Sequence, residues 1–246
     1  MLDKVKIYFI IPCGTAIYDE PCLKTIDKVK KHDTIVDVVH LSKGPEHVEY
    51  HYFEHIVMDE TLDLVRRAER DGYTAVVIDC FYDLGLREAR ELVKIPVIGI
   101  GEASYYVGAM MGHKFSVLVG RRKSIPKMYD NLVAYGLERR LASFRSLELN
   151  PVQMIQYPDR LKERIIQEAE KAIYEDQAEV IILGCGAQTG LAEELMKILH
   201  VPVIDPVAVS IKIAEMLSEL YVKLGLSHCK LFGYESPPPN LFREII

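Results

Sequence analysis

Hydrophobic and polar positions alternate along the chain between two textures: short β-branched runs, and longer charged stretches whose apolar residues recur at helical spacing. That alternation is the signature of βα units feeding a parallel sheet. In the first half it predicts strands over Lys4–Ile11, Ile35–His40, Ala75–Asp79 and Val97–Ile100. Helices are predicted over Glu20–Lys31, Val57–Asp71, Leu86–Val93 and Gly101–Met111, the last ending at Gly112. In the second half the strands are Lys114–Val119, Ser143–Leu149, Val180–Leu183 and Val203–Ile204. The helices between them are Ile125–Tyr135, with Gly136 as a left-handed cap, then Leu161–Asp176, Leu191–Leu199 and Val207–Leu224.

The two halves repeat one another. Val76–Leu86 and Ile181–Leu191 each deliver a cysteine, Cys80 or Cys185, to the end of an apolar run, with glycine five positions later and leucine six. Each cysteine has an aspartate nine positions before it, Asp71 or Asp176, and each unit closes on a matching strand, Ile95-Pro96-Val97-Ile98 or Val201-Pro202-Val203-Ile204. The cysteines lie 105 residues apart, a domain-sized period. The expected architecture is therefore α/β, with two similar lobes related by a pseudo-twofold axis. Each lobe is a flavodoxin-like parallel sheet flanked by helices, and the active site lies in the cleft between them. The first lobe would comprise residues 1–104 with 208–246 and the second residues 105–207, with Gly101–Gly112 and Val207–Leu224 as the crossings. Pro237-Pro238-Pro239 ends regular structure before a partly apolar tail, Leu241–Ile246, free to pack back or to meet a partner chain.

Composition narrows the function classes. A net charge of -6, with Lys and Arg scattered among Asp and Glu, gives no basic stripe for nucleic acid. No apolar run reaches the ~18 residues of a membrane span, and the opening Met1–Lys6 leads into a strand rather than a signal peptide. Five cysteines without a CxxC pattern fit reduced thiols in a cytoplasmic protein that takes a small-molecule substrate, expected here as a homo-oligomer. Neither a metal nor a cofactor is expected. Gly99-Ile100-Gly101 lacks the third glycine of a dinucleotide fingerprint. His47, His51 and His55, at steps of four, would share one helical face, but the outer two would stand about 12 Å apart along it. All eight histidines are read as surface or core residues.

In parallel α/β sheets ligands gather at the carboxyl ends of the strands, where both cysteines fall. Taken singly, a free cysteine is more often a buried small hydrophobe than a reagent. The matched pair points instead to two sulfurs facing each other across a cleft, one taking a proton from a carbon and the other returning one to the opposite face. A thiol with its ordinary pKa of about 8.5 needs donors to favour the thiolate. Backbone N–H groups in Phe81–Gly85 and Gly186–Gly190 are the expected source, with Thr15 as a side-chain donor to the developing enolate.

Asp79-Cys80-Phe81-Tyr82-Asp83 with Gly85-Leu86-Arg87-Glu88-Ala89-Arg90-Glu91-Leu92, and Pro96-Val97-Ile98-Gly99-Ile100-Gly101-Glu102-Ala103 after it, resemble the first cysteine segment of the aspartate/glutamate racemase superfamily. Within it the hydantoin and allantoin racemases are most similar. Phe115-Ser116-Val117, Tyr135-Gly136-Leu137, Leu183-Gly184-Cys185 and Pro202-Val203-Ile204-Asp205 are similar to later landmarks. The resemblance implies a cofactor-independent racemase with Cys80 and Cys185 as acid and base. It implies substrate-binding positions at Pro12, Cys13, Thr15, Phe81, Tyr82, Gly120, Gly186 and Ala187. The superfamily's amino-acid racemases carry Cys-Asn-Thr where this chain has Cys80-Phe81-Tyr82, so a 5-substituted hydantoin or allantoin is expected ahead of aspartate or glutamate. An amino-acid racemase, a maleate isomerase, an arylmalonate decarboxylase and a non-catalytic small-ligand binder remain as alternatives.

Overall fold

The computed structural model describes residues 4–238. The apolar runs of the first half form β1 (Lys6–Ile11), β2 (Ile35–His40), β3 (Ala75–Ile78) and β4 (Val97–Gly99). They alternate with α1 (Asp19–Val29), α2 (His51–Arg70), α3 (Leu86–Leu92) and α4 (Ile100–Met111). The second half repeats the series as β5 (Phe115–Val119), α5 (Ile125–Ala134), β6 (Leu141–Ser146), α6 (Pro151–Gln156), α7 (Pro158–Tyr174), β7 (Val180–Leu183), α8 (Ala192–Leu199), β8 (Val203–Ile204) and α9 (Pro206–Leu224).

The strands pair in two parallel sheets of the same order, β2-β1-β3-β4 and β6-β5-β7-β8. In each, the chain leaves the first strand toward one edge and returns past it to the other. The crevice between β1 and β3, or between β5 and β7, is therefore a switch point open at the carboxyl ends of the strands. The central strands are buried on both faces, which is why they read as unbroken apolar runs. The edge strands β2 and β6 are partly exposed.

Strand alternation divides the core. Ile7, Phe9 and Ile11 of β1, with Ala75 and Val77 of β3, face one large cluster that continues into β5 and β7 of the second sheet. Tyr8, Ile10, Val76 and Ile78 face the other way, onto a smaller cluster beneath α2 and α3. Helix α4 packs against β4, β7 and β8, elements of both sheets; α9 packs against α4 and returns to α1 and β3. Beyond α9 the segment 226–238 docks on the first sheet's flank, where His228 Nε2 accepts from Val97 N at 2.9 Å and Ser236 Oγ donates to Glu91 O at 2.8 Å.

Several boundaries differ from the sequence reading. Helix α2 begins at His51 rather than Val57, because its first turns expose Tyr52 and Ile56 and so carry no apolar stripe. His47 lies in the preceding loop, so only His51 and His55 share the helix. Helix α6 was not anticipated, although Asn150 and Gln153 close a reciprocal capping box around its start. Strand β6 covers Leu141–Ser146 rather than Ser143–Leu149. The expected packing of Leu241–Ile246 lies outside the described residues.

Candidate active site

Cys80 follows β3 and Cys185 follows β7, with the two local structures repeated. Asp83 N donates to Cys80 O at 2.9 Å and Gln188 N to Cys185 O at 3.0 Å, so each cysteine is the first residue of a tight four-residue turn. Asp83 and Gly85 in the first loop, and Gly190 in the second, take left-handed backbone angles. Two residues past each cysteine a backbone N–H, of Tyr82 or of Ala187, donates to the sulfur. The loops thus supply the expected donors. Burial nevertheless outweighs them: it pushes the Cys80 thiol well above its ordinary value and that of Cys185 up to about 12. Burial thus favours the thiol form at both sulfurs, against the pull of the loop donors.

Two adjoining cavities of about 60 Å³ each lie between the lobes, and both are lined by Cys80 and Cys185 together with Val48, Phe81 and Pro151. Glu49, Tyr82, Gly120 and Ser124 are also in the first; Cys13, Gly186, Ala187 and His47 are in the second. Eight of the ten residues expected at the site therefore come together. Pro12 and Thr15 are absent from both linings, and the Thr15 hydroxyl instead accepts locally from Ile17 N at 3.5 Å.

The glycines here are positions of close approach: a Cβ on Gly120 would stand 2.8 Å from Leu149 O, and one on Gly184 2.7 Å from Leu118 O. Tyr82 joins the lobes. Its hydroxyl donates to Ser124 Oγ at 2.8 Å and its carbonyl accepts from Asn131 Nδ2 at 2.7 Å.

Asp79, partly buried beside Cys80, presses its carboxyl against Gly186 of the opposite loop. One oxygen accepts from Cys22 Sγ at 3.6 Å; the other has no hydrogen-bond partner. Burial, helped by Asp205, raises its pKa to about 7. Cys13 is pushed up by burial and by Asp79, so its thiol is less acidic than an exposed one, not more. Among the described residues no group of three His, Cys, Asp or Glu side chains is placed to hold a metal ion, and no helix is long and apolar enough to cross a membrane.

Sequence reasoning missed the lining residues His47, Val48, Glu49 and Pro151, and read His47 as surface or core. His47, Val48 and Glu49 sit in the loop after β2, and Pro151 is the first residue of α6, which follows β6. These too are carboxyl-end segments beside a switch point, the only signal that could have found them.

Two α/β lobes thus each bring a thiol to a shared cleft at the carboxyl ends of their strands. Residues 7–214 match the family described as Asp/Glu/hydantoin racemase. A hydantoin racemase of Pseudomonas sp. (strain NS671) is 32% identical over 233 residues, covering 95% of this chain and 92% of its own. That of Rhizobium meliloti is 35% identical over 213 residues, 87% of this chain and 88% of its own. The solved structure of an allantoin racemase from Klebsiella pneumoniae superposes with a TM-score of 0.89 at 29% identity, covering 95% of this chain and 94% of the other. The chain belongs to the Asp/Glu/hydantoin racemase family.

Proposed function

We propose that this racemase inverts an acidic C–H centre beside a carbonyl, in a 5-substituted hydantoin or in allantoin, with Cys80 and Cys185 as its acid/base pair and no cofactor. The observation that carries the reading is that thiols from matched strand ends line the same two small cavities. The relatives named hydantoin racemase and the allantoin racemase structure support the substrate class. So does the absence of lysine and arginine from both linings, since a free amino acid would bring a carboxylate with no counter-ion there.

In each turnover one sulfur, as thiolate, takes the proton from the substrate carbon, and the electron pair passes to the carbonyl as an enolate. The opposite thiol then gives its proton to the other face. One S–H bond forms and one breaks, so thiol and thiolate exchange places and the reverse inversion starts from the form just produced. The enolate needs fixed donors, each worth on the order of 10²- to 10³-fold in rate. Backbone N–H groups of Phe81–Gly85 and Gly186–Gly190 are the nearest supply, and the held geometry of both sulfurs contributes the proximity.

Polarimetry tests the reading. Single enantiomers of 5-substituted hydantoins or of allantoin should lose rotation to zero on incubation with the enzyme, in the presence of a chelator and without added pyridoxal phosphate. Aspartate and glutamate should keep theirs. Loss of rotation by the amino acids alone, or carbon dioxide release from an arylmalonate with every hydantoin left untouched, would replace this function with one of the family's other chemistries.

A further inference from the structure

Resting on the racemase reading, and extending it to how the substrate is recognised, we propose that Glu49 binds the N–H edge of an uncharged cyclic ureide or imide. Glu49 ends the loop between β2 and α2 and is 7% exposed, with its side chain lining the cavity that holds both thiols. Arg121 Nη2 stands 3.0 Å from Glu49 Oε2, which offsets the buried charge. Arg121 is the partner of the buried Oε2; the other oxygen, Oε1, lies on the Gly120 side, 3.5 Å from where a Cβ on that lining glycine would stand. His47 Nδ1 is 3.8 Å from Oε2, beyond bonding distance, and itself accepts from Glu49 N. A buried, charge-balanced carboxylate thus lines a cavity whose other side-chain oxygens, Tyr82 Oη and Ser124 Oγ, already bond to each other.

A ligand that completes this site must donate a hydrogen bond and carry no negative charge near Glu49. A ring N–H next to a carbonyl meets both conditions. An unprotonated carboxylate meets neither, which places specificity against free acidic amino acids in the same residue. A site built on a buried acceptor also rejects an analogue that lacks the donor, since the acceptor is then left desolvated without that bond.

The test uses unsubstituted hydantoin, which has both ring N–H groups and no stereocentre, with its 1-methyl and 3-methyl derivatives, titrated calorimetrically into the full-length protein. One of the two methylated rings should bind roughly 10- to 100-fold more weakly than the parent, the worth of a hydrogen bond to a charged group. In Glu49→Ala, and less completely in Glu49→Gln, that ratio should collapse toward one while the melting transition stays cooperative. Equal affinity of the wild type for all three rings, a methyl discrimination that survives in both variants, or no binding of any ring overturns the proposal. Intact discrimination with no loss of rotation from any chiral hydantoin would instead sink the catalytic reading and leave Glu49 as the recognition residue.

Discussion

At Cys80 and Cys185, burial works against the form that must take a proton. Burial raises both thiols, so if one of them must ionise to take the proton, kcat/KM should rise with pH across the neutral and mildly alkaline range. A flat profile from pH 7 to 9.5 would contradict that. The roles of the two sulfurs separate in the single variants Cys80→Ser and Cys185→Ser. Each should lose racemisation, yet the remaining cysteine can still exchange the proton of the enantiomer it faces. In deuterated water each variant should incorporate label into one enantiomer without inverting it, and the two should choose opposite enantiomers. Exchange of the same enantiomer by both, or racemisation near the wild-type rate by either, would mean the thiols are not opposed acid and base.

At the scale of elements, the second cysteine loop and helix α9 are joined through one carboxylate. Asp205 caps α9 by accepting from Val207 N at 3.0 Å and Ala208 N at 3.2 Å. It also holds the loop after Cys185, accepting from Gly190 N at 2.7 Å and Thr189 Oγ at 2.9 Å. The first repeat assigns the matching duty to a residue of the loop itself: Asp83 accepts from Gly101 N at 2.9 Å and Glu102 N at 2.8 Å at the start of α4. Asp205→Ala removes a cap and strands buried donors, so it should destabilise the protein by roughly 2–5 kcal/mol in urea denaturation. Asp205→Asn keeps an acceptor oxygen and should cost clearly less. Equal losses for the two would argue that the charge and second acceptor oxygen, which Asn lacks, carry the whole effect.

For the whole molecule, Asp79, which holds one buried carboxyl oxygen between the two thiol loops, links stability to pH. Its folded pKa of about 7 lies above the ordinary carboxylate value near 4, so the folded state holds that proton longer than the unfolded chain does. The stability this contributes is fully present below about pH 4 and is lost as pH rises through 7. Asp83, also raised to about 7 by burial, slopes in the same direction, while His228, lowered to about 4 by burial, slopes in the opposite one. Asp79→Asn cancels only the first of these. Its melting temperature, measured against wild type, should therefore improve steadily from pH 4 to 7 and level off above. A difference independent of pH would show that Asp79 is paired more fully than its orphaned oxygen indicates.

Much of this molecule is legible in its pattern of residues, because parallel strands buried on both faces must be apolar runs and the duplicated Cys-x₄-Gly-Leu segments mark the same strand end twice. Strand count, two-lobe architecture and the two thiols follow from local periodicity and from position along a βα unit. Only the tertiary structure decides what else reaches those thiols. His47, Val48 and Glu49 arrive from the loop after β2 and Pro151 from the start of the short helix α6 after β6, segments that give no periodic signal, and their proximity to the cysteines is a product of sheet order. The same holds for the state of the sulfurs. A motif names the donors at Tyr82 and Ala187, but packing two lobes face to face sets the desolvation, and desolvation overrides the donors.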